Sequence, residues 1–441
     1  MEHVAFWMEH VATRQQRTRV RDGCASLIAA CARRLDPEVA LSVHLFCARL
    51  SFFADDNHDS PVLQTHLWGM NLDNPIGLSA GFDKNAESVA GLHRCGFGMV
   101  EVRELHSSSA RPSFWTHTYP TIMSLLWQVG TVTPHAQEGN PRPRIVRLTE
   151  DDALINRYNP SAGHAAVAHN LRAAVRRRPC GVNVGPNAGA ADAEADFLAG
   201  VRALGPFADY IVVNVTNPTV TQDATHRGGS ALTAMLRKLR EEVKRLPSSG
   251  PHAGCSFHGS AHGSAPALIL KVGPDLSAAQ IEEVTREALT GRIDGLIVAN
   301  ASLKRPPSLR SPAAKGEVGG LTGAPLRENA LALLETFYRA LGGKVPLVGL
   351  GGIRTGRDAY SRIRAGASAV QLYTAFAYEG VALLPRIKRE LAELLEADGF
   401  CCVADAVGAD VSIPTNQGGI WRSGHYPLLE RRWLPTQHGH N

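Results

Sequence analysis

The sequence predicts an α/β fold, a TIM (β/α)8 barrel with a small N-terminal helical segment. Three observations point there. From residue 74 onward, short apolar runs alternate with helical patterns, and eight such runs occur. Most are continuous apolar stretches, as expected of a parallel sheet covered by helices on its outer face. The chain has 441 residues, enough for one large barrel with additions. Its composition, 44% hydrophobic and 20% charged, is that of an ordinary globular enzyme. A net charge of +5 with no compact basic tract gives no reason to expect a nucleic-acid partner. The eight cysteines are scattered without a CxxC pair, which favours reduced thiols and gives no metal-ligand spacing.

Residues 1–25 form an N-terminal segment with four arginines between Arg14 and Arg21. Glu2, Glu9 and Asp22 interrupt what would otherwise resemble a targeting peptide, and Met-Glu-His-Val-Ala stands at both Met1 and Met8, as a misassigned start would leave it. Residues 26–66 are the helical segment. Leu27, Ile28, Cys31 and Leu35 form one spaced apolar set, and Pro37 suits the first turn of a second helix. The pair is either docked on the core or an amphipathic apolar mouth for a membrane or lipid-like molecule. No apolar run approaches the roughly 20 residues of a membrane-spanning helix.

The barrel occupies residues 67–411. Its expected strands are Asn74–Gly81, Phe97–Val102, Cys180–Gly185, Tyr210–Val215, Ala267–Val272, Gly295–Asn300, Pro346–Gly352 and Ala369–Thr374. Helices are expected between most of them, among them Ala190–Leu204, Ala231–Leu246, Ala278–Leu289, Leu326–Leu341 and Gly356–Ala365. Two insertions break the rhythm. Residues 103–129 match no barrel element, and their 27 residues would also suit a retained in-frame intron. Residues 248–265 are Gly/Ser/His-rich. Residues 412–441 read as an irregular tail.

Barrel chemistry sits at the C-terminal ends of the strands. Collected in order, these ends carry Ala80, Gly81 and Lys84, then Asn183, Asn214, Lys271, Asn300, Gly351-Gly352 and Tyr373-Thr374. Lysines and asparagines on buried strands need partners, so a polar planar ligand is expected. Glycines after the seventh strand and Tyr-Thr after the eighth fall where barrels bind phosphate through backbone N–H groups. A phosphate at one end and Lys271 near a ring system suggest flavin mononucleotide (FMN).

The chain resembles the quinone-dependent (class 2) dihydroorotate dehydrogenases over roughly residues 26–411, apart from the two insertions. The motifs are Asn-Pro-Ile-Gly-Leu-Ser-Ala-Gly-Phe-Asp-Lys at 74–84, Gly-Thr-Val-Thr-Pro at 130–134, Gln-Glu-Gly-Asn-Pro-Arg-Pro-Arg at 137–144 and Ile-Asn-Arg-Tyr at 155–158. Further on come Gly-Val-Asn-Val-Gly at 181–185, Ala-Asp-Tyr-Ile-Val-Val-Asn-Val at 208–215, Gly-Gly-Leu-Thr-Gly at 319–323 and Arg-Ala-Gly-Ala-Ser-Ala-Val-Gln-Leu-Tyr-Thr-Ala at 364–375. The resemblance implies oxidation of (S)-dihydroorotate to orotate in pyrimidine (UMP) biosynthesis. FMN would be the hydride acceptor and ubiquinone the final acceptor, entering through the N-terminal helices. It implies peripheral contact with the mitochondrial inner membrane. Carried over residue by residue, Ala80, Gly81, Thr131, Asn183, Asn214, Lys271, Gly323, Gly352, Tyr373 and Thr374 match flavin contacts. Lys84, Asn156, Arg157, Tyr158, Asn214 and Asn300 match orotate contacts.

The loop after the fourth strand departs from the family. Where the family has its base serine, this chain has Asn217, and Thr219 replaces a substrate-binding asparagine. Ala299 and Ala301 flank Asn300 where the family has threonines. A carboxamide accepts no proton at neutral pH, so the alternative reading is a catalytically impaired FMN-binding relative.

Overall fold

The computed structural model describes residues 23–50, 59–83, 86–102, 133–137, 140–157, 161–174, 176, 178–187, 190–216, 229–247, 265–312 and 316–413. The insertion at 103–129, nearly all of 248–265, most of the first 25 residues and all but the start of the tail lie outside them.

Eight parallel strands close a barrel in chain order: β3 (Ile76–Leu78), β4 (Met99–Val102), β9 (Cys180–Val184), β10 (Tyr210–Asn214), β11 (Ala267–Val272), β12 (Gly295–Val298), β14 (Leu347–Leu350) and β15 (Ala367–Leu372). Each is one of the eight expected runs. Helices such as Ala278–Leu289, Arg327–Leu341 and Gly356–Arg364 cover the outside, packed on outward residues including Val213, Leu270 and Leu296. Several expected elements were too long at an end. The helix expected from Ala190 starts at Ala193, because the Asp192 side chain accepts the Ala195 N–H and caps it there. The first strand ends at Leu78 rather than Gly81, and Gly81 sits at φ 104°, outside strand geometry.

Smaller elements close the two ends. β1 (Thr65–Leu67) and β2 (Met70–Leu72) form an antiparallel hairpin whose two-residue turn is Trp68-Gly69. Both turn residues have positive φ, 51° and 81°, as a twist-matched hairpin turn requires. The hairpin seals the barrel floor: Leu67, Met70 and Leu72 pack on Met99, Tyr210, Val212, Ile269, Ile297 and Val348. The Trp68 and Tyr210 rings lie 5.1 Å apart. Above the strand ends, β6 (Ile145–Leu148), β7 (Ala153–Asn156) and β13 (Gly320–Gly323) make an antiparallel sheet, and β5 (His135–Gln137) pairs with β8 (Ser161–Gly163).

The helical segment holds a helix over residues 23–32 and a second at Pro37–Arg49, with Pro37 in its first turn and Asp36 capping the Glu38 N–H at 2.9 Å. The first helix docks through its small residues, and of the spaced apolar set Ile28 alone packs on the core. Ala25, Ala29 and Ala32 are buried, whereas Leu27 is 66% and Leu35 42% exposed. Small residues allow the close approach, which leaves the leucines on the outer side. The second helix is tied to the barrel through Glu38, whose carboxylate accepts from Arg144 Nη2 at 2.8 Å and lies 3.4 Å from Arg142. No helix among the described residues is long and apolar enough to cross a membrane.

Candidate active site

Side chains alternate along a strand. On β10, Tyr210, Val212 and Asn214 therefore face the axis, and on β11 Ala267, Ile269 and Lys271 do the same. The lower members of each set belong to the apolar floor cluster. The next inward position on each of several strands is polar: Ser79, Glu101, Asn183, Asn214, Lys271 and Gln371, all buried.

These residues form one connected network. The Glu101 carboxylate is its centre. It accepts from Asn183 Nδ2 at 2.6 Å and Gln371 Nε2 at 2.7 Å, and lies 3.3 and 3.4 Å from Lys271 Nζ. Lys271 also donates to Ser79 Oγ at 3.1 Å. Asn214 Nδ2 donates to Asn183 Oδ1 at 3.3 Å, and Asn214 Oδ1 accepts from the Thr216 N–H at 3.1 Å and hydroxyl at 2.7 Å. Asn300 Nδ2 donates to Thr216 Oγ1. A buried charge pair is costly unless its remaining hydrogen-bonding capacity is filled, and here Asn183, Gln371 and Ser79 contribute to filling it.

Above this layer opens a cavity of about 380 Å³, within the range of small-molecule sites. Its lining includes Asn156, Arg157, Asn214, Thr216 and Asn300 together with Gly323, Gly351, Gly352, Tyr373 and Thr374. The β6–β7–β13 sheet brings Asn156 and Gly323 over the barrel, at opposite ends of the β7–β13 register. Asn156 Nδ2 donates to the Tyr373 hydroxyl at 3.2 Å, and Thr374 Oγ1 to Thr322 Oγ1 at 2.9 Å. Gly351 and Gly352 have φ of 107° and 71°, in the region that favours glycine. Tyr378 also lines the cavity; burial pushes its phenol up, and its hydroxyl donates to the Ala153 carbonyl at 2.9 Å.

The sequence-predicted residues thus fall into three groups. Ala80, Asn156, Arg157, Asn214, Asn300, Gly323, Gly352, Tyr373 and Thr374 meet around the cavity. Asn183 and Lys271 lie in the polar layer, bonded to Glu101, and Gly81 follows Ala80 at the turn. Lys84, Thr131, Tyr158 and Asn217 lie outside the described residues. Sequence reasoning missed Glu101 and Gln371. A carboxylate inside the run Phe-Gly-Met-Val-Glu-Val was a usable signal, because burying it demands a cation from another strand. It also missed Ser79.

The donors suit a phosphorylated heteroaromatic cofactor: backbone-rich glycine turns at the rim for the anion, and carboxamides with an ammonium below for the ring. Comparison with known proteins identifies the family. The family model described as dihydroorotate dehydrogenase matches residues 122–395. The dihydroorotate dehydrogenase (quinone) of Rhodospirillum rubrum is 41% identical over 388 residues, covering 87% of this chain and 94% of that one. The mitochondrial dihydroorotate dehydrogenase (quinone) of Mus musculus is 39% identical over 394 residues, covering 87% and 89%. The ligand-free crystal structure of the Eimeria tenella enzyme has a TM-score of 0.74 at 36% identity, covering 85% of this chain and 99% of that one. The chain belongs to the quinone-dependent dihydroorotate dehydrogenase family.

Proposed function

We propose that this chain oxidises (S)-dihydroorotate to orotate and passes the electrons to a quinone, as a step of pyrimidine biosynthesis. The observation that carries the reading is the convergence of Asn156, Asn214 and Asn300 with the Glu101–Lys271 layer at one end of the barrel. When bound, FMN supplies the hydride acceptor. Gly323, Gly352, Tyr373 and Thr374 would hold its phosphate end. Ala80, Gly81, Asn183, Lys271 and Thr131 would hold its ring. Lys84, with Asn156, Arg157, Tyr158, Asn214 and Asn300, would bind the carboxylate and carbonyls of orotate, which call for one cation and several amide donors.

The exposed Leu27 and Leu35 support the helical segment as a peripheral membrane contact and quinone entry, and by family likeness the site of action is the mitochondrial inner membrane. Deleting residues 1–50 should abolish reduction of a long-tailed quinone and leave flavin binding intact.

The test of the reaction is bleaching of flavin absorbance by dihydroorotate under anaerobic conditions. No bleaching in flavin-loaded protein would refute the assignment. Asn217 stands at the family's base position. A missing positioned base costs about 10²–10⁴ in rate, so Asn217→Ser should accelerate single-turnover bleaching at least about tenfold. Equal rates would place the base elsewhere.

A further inference from the structure

Behind the glycine turn after β14 lies a cation that the site described so far does not use. Arg362, on the helix Gly356–Arg364, is 1% exposed. Among the described residues its acceptors are main-chain carbonyls: Nη2 donates to Gly351 O at 2.7 Å and to Arg327 O at 2.6 Å, and Nε has no partner there. The nearby carboxylate, Asp358, is engaged elsewhere. It lies 3.0 Å from Arg327 Nε and accepts the Arg354 and Thr355 N–H groups, each at 2.9 Å. Burying a guanidinium against carbonyls alone is expensive, and burial holds Arg362 down at about 10. A methionine would fill the same space without that cost.

The geometry gives the charge a use. In a trans peptide the C=O and N–H bonds point in opposite directions. Pinning the carbonyls of Gly351 and Arg327 toward Arg362 therefore aims the N–H groups of Gly352 and Glu328 the other way. Gly351, Gly352, Leu326 and Arg327 line the cavity, so that direction is the cavity side. The 327–328 peptide also opens the helix Arg327–Leu341, whose first-turn N–H groups carry partial positive charge.

We propose that Arg362 is a positioning residue for the phosphate end of the site: it sets two peptide dipoles toward the cavity and adds a buried positive charge behind them, so that the site selects a phosphorylated flavin over an unphosphorylated one. This rests on the flavin reading above. Arg362 touches no ligand itself; it acts through Gly352 and Glu328.

The test uses the full chain stripped of flavin and titrated separately with FMN and with riboflavin, followed by quenching of flavin fluorescence. Loss of a charge-assisted contribution predicts that Arg362→Met weakens FMN binding about tenfold or more while riboflavin binding changes less than about threefold. Arg362→Lys keeps the charge on a shorter side chain, so it should fall between and serves if the methionine variant does not fold. A merely structural role would weaken both flavins equally, and that result overturns the proposal. So does an unchanged FMN preference in folded variants. Wild-type protein that binds neither flavin overturns the flavin reading itself, a distinguishable outcome.

Discussion

Tyr210, Val212 and Asn214 stand on one strand and all face the barrel axis, yet the first two belong to a dry apolar floor and the third to a charged network. The same change occurs between Ile269 and Lys271 on β11, and between Met99 and Glu101 on β4. Below, each position is satisfied by shape alone; the one phenol, Tyr210, is pushed well up by burial and donates to the Val100 carbonyl at 3.2 Å. Above, each position is satisfied only through its neighbours. The lesson is that the floor should tolerate change locally, whereas the polar layer should fail as a unit.

The largest expected effect comes from breaking the upper unit on one side. Lys271→Met leaves the Glu101 carboxylate buried without its cation, which should cost about 3–5 kcal/mol in denaturant unfolding and weaken flavin retention. A loss below about 1 kcal/mol would show that the pair is not stabilised as a pair. The comparison sharpens if the layer is made apolar throughout. Lys271→Met with Glu101→Leu should recover most of the stability, because replacing both members of a buried pair is often neutral, while flavin retention stays weakened. A double variant no more stable than Lys271→Met would refute that.

Smaller is the effect expected in the floor. A Cβ at Gly295 would come within 2.3 Å of Trp68 Nε1 and 2.9 Å of the Pro346 carbonyl. Gly295→Ala should therefore cost about 1–3 kcal/mol by overpacking and leave the flavin spectrum unchanged. A shifted spectrum would mean that floor and polar layer are coupled.

A last, pH-dependent effect concerns groups outside both layers. Burial lowers His44 to about 4, His93 to about 3 and His164 to about 4. Their folded values lie below the ordinary value of about 6.5, so the stability they contribute is present above that pH and is lost as pH falls through the folded values. The melting temperature should thus decline between about pH 6.5 and pH 4, and His93→Gln should flatten the decline. An unchanged slope in that variant would assign the acid sensitivity to other groups.

The barrel was legible because its signal is repeated: eight apolar runs, each bounded by a helical pattern, leave few other topologies. Residues of the cavity and the polar layer were legible where a polar side chain interrupted such a run, as with Asn183, Asn214 and Lys271. Glu101 carries the same signal but stands beside the insertion, and the eye passes to the strand end. Two kinds of feature were not legible. In the mouth sheet Ala153–Asn156 pairs on one edge with the neighbouring Ile145–Leu148 and on the other with Gly320–Gly323, and this second contact joins segments far apart in sequence, which periodicity cannot encode. Which face of the first helix is buried was not legible, because hydrophobicity ranks leucine above alanine, whereas close helix packing favours the smaller side chain.

The Trp68-Gly69 hairpin has a consequence for the order of events. With the floor filled by Leu67, Met70 and Leu72, the barrel is a blind cup, loaded and emptied from its upper face. A cup of this kind works as a stack in which the last molecule in is the first out. A cofactor seated on the polar layer can leave only after whatever has settled above it, so ligand bound at the Asn156 and Asn300 wall should lengthen the cofactor's residence time without touching its affinity contacts.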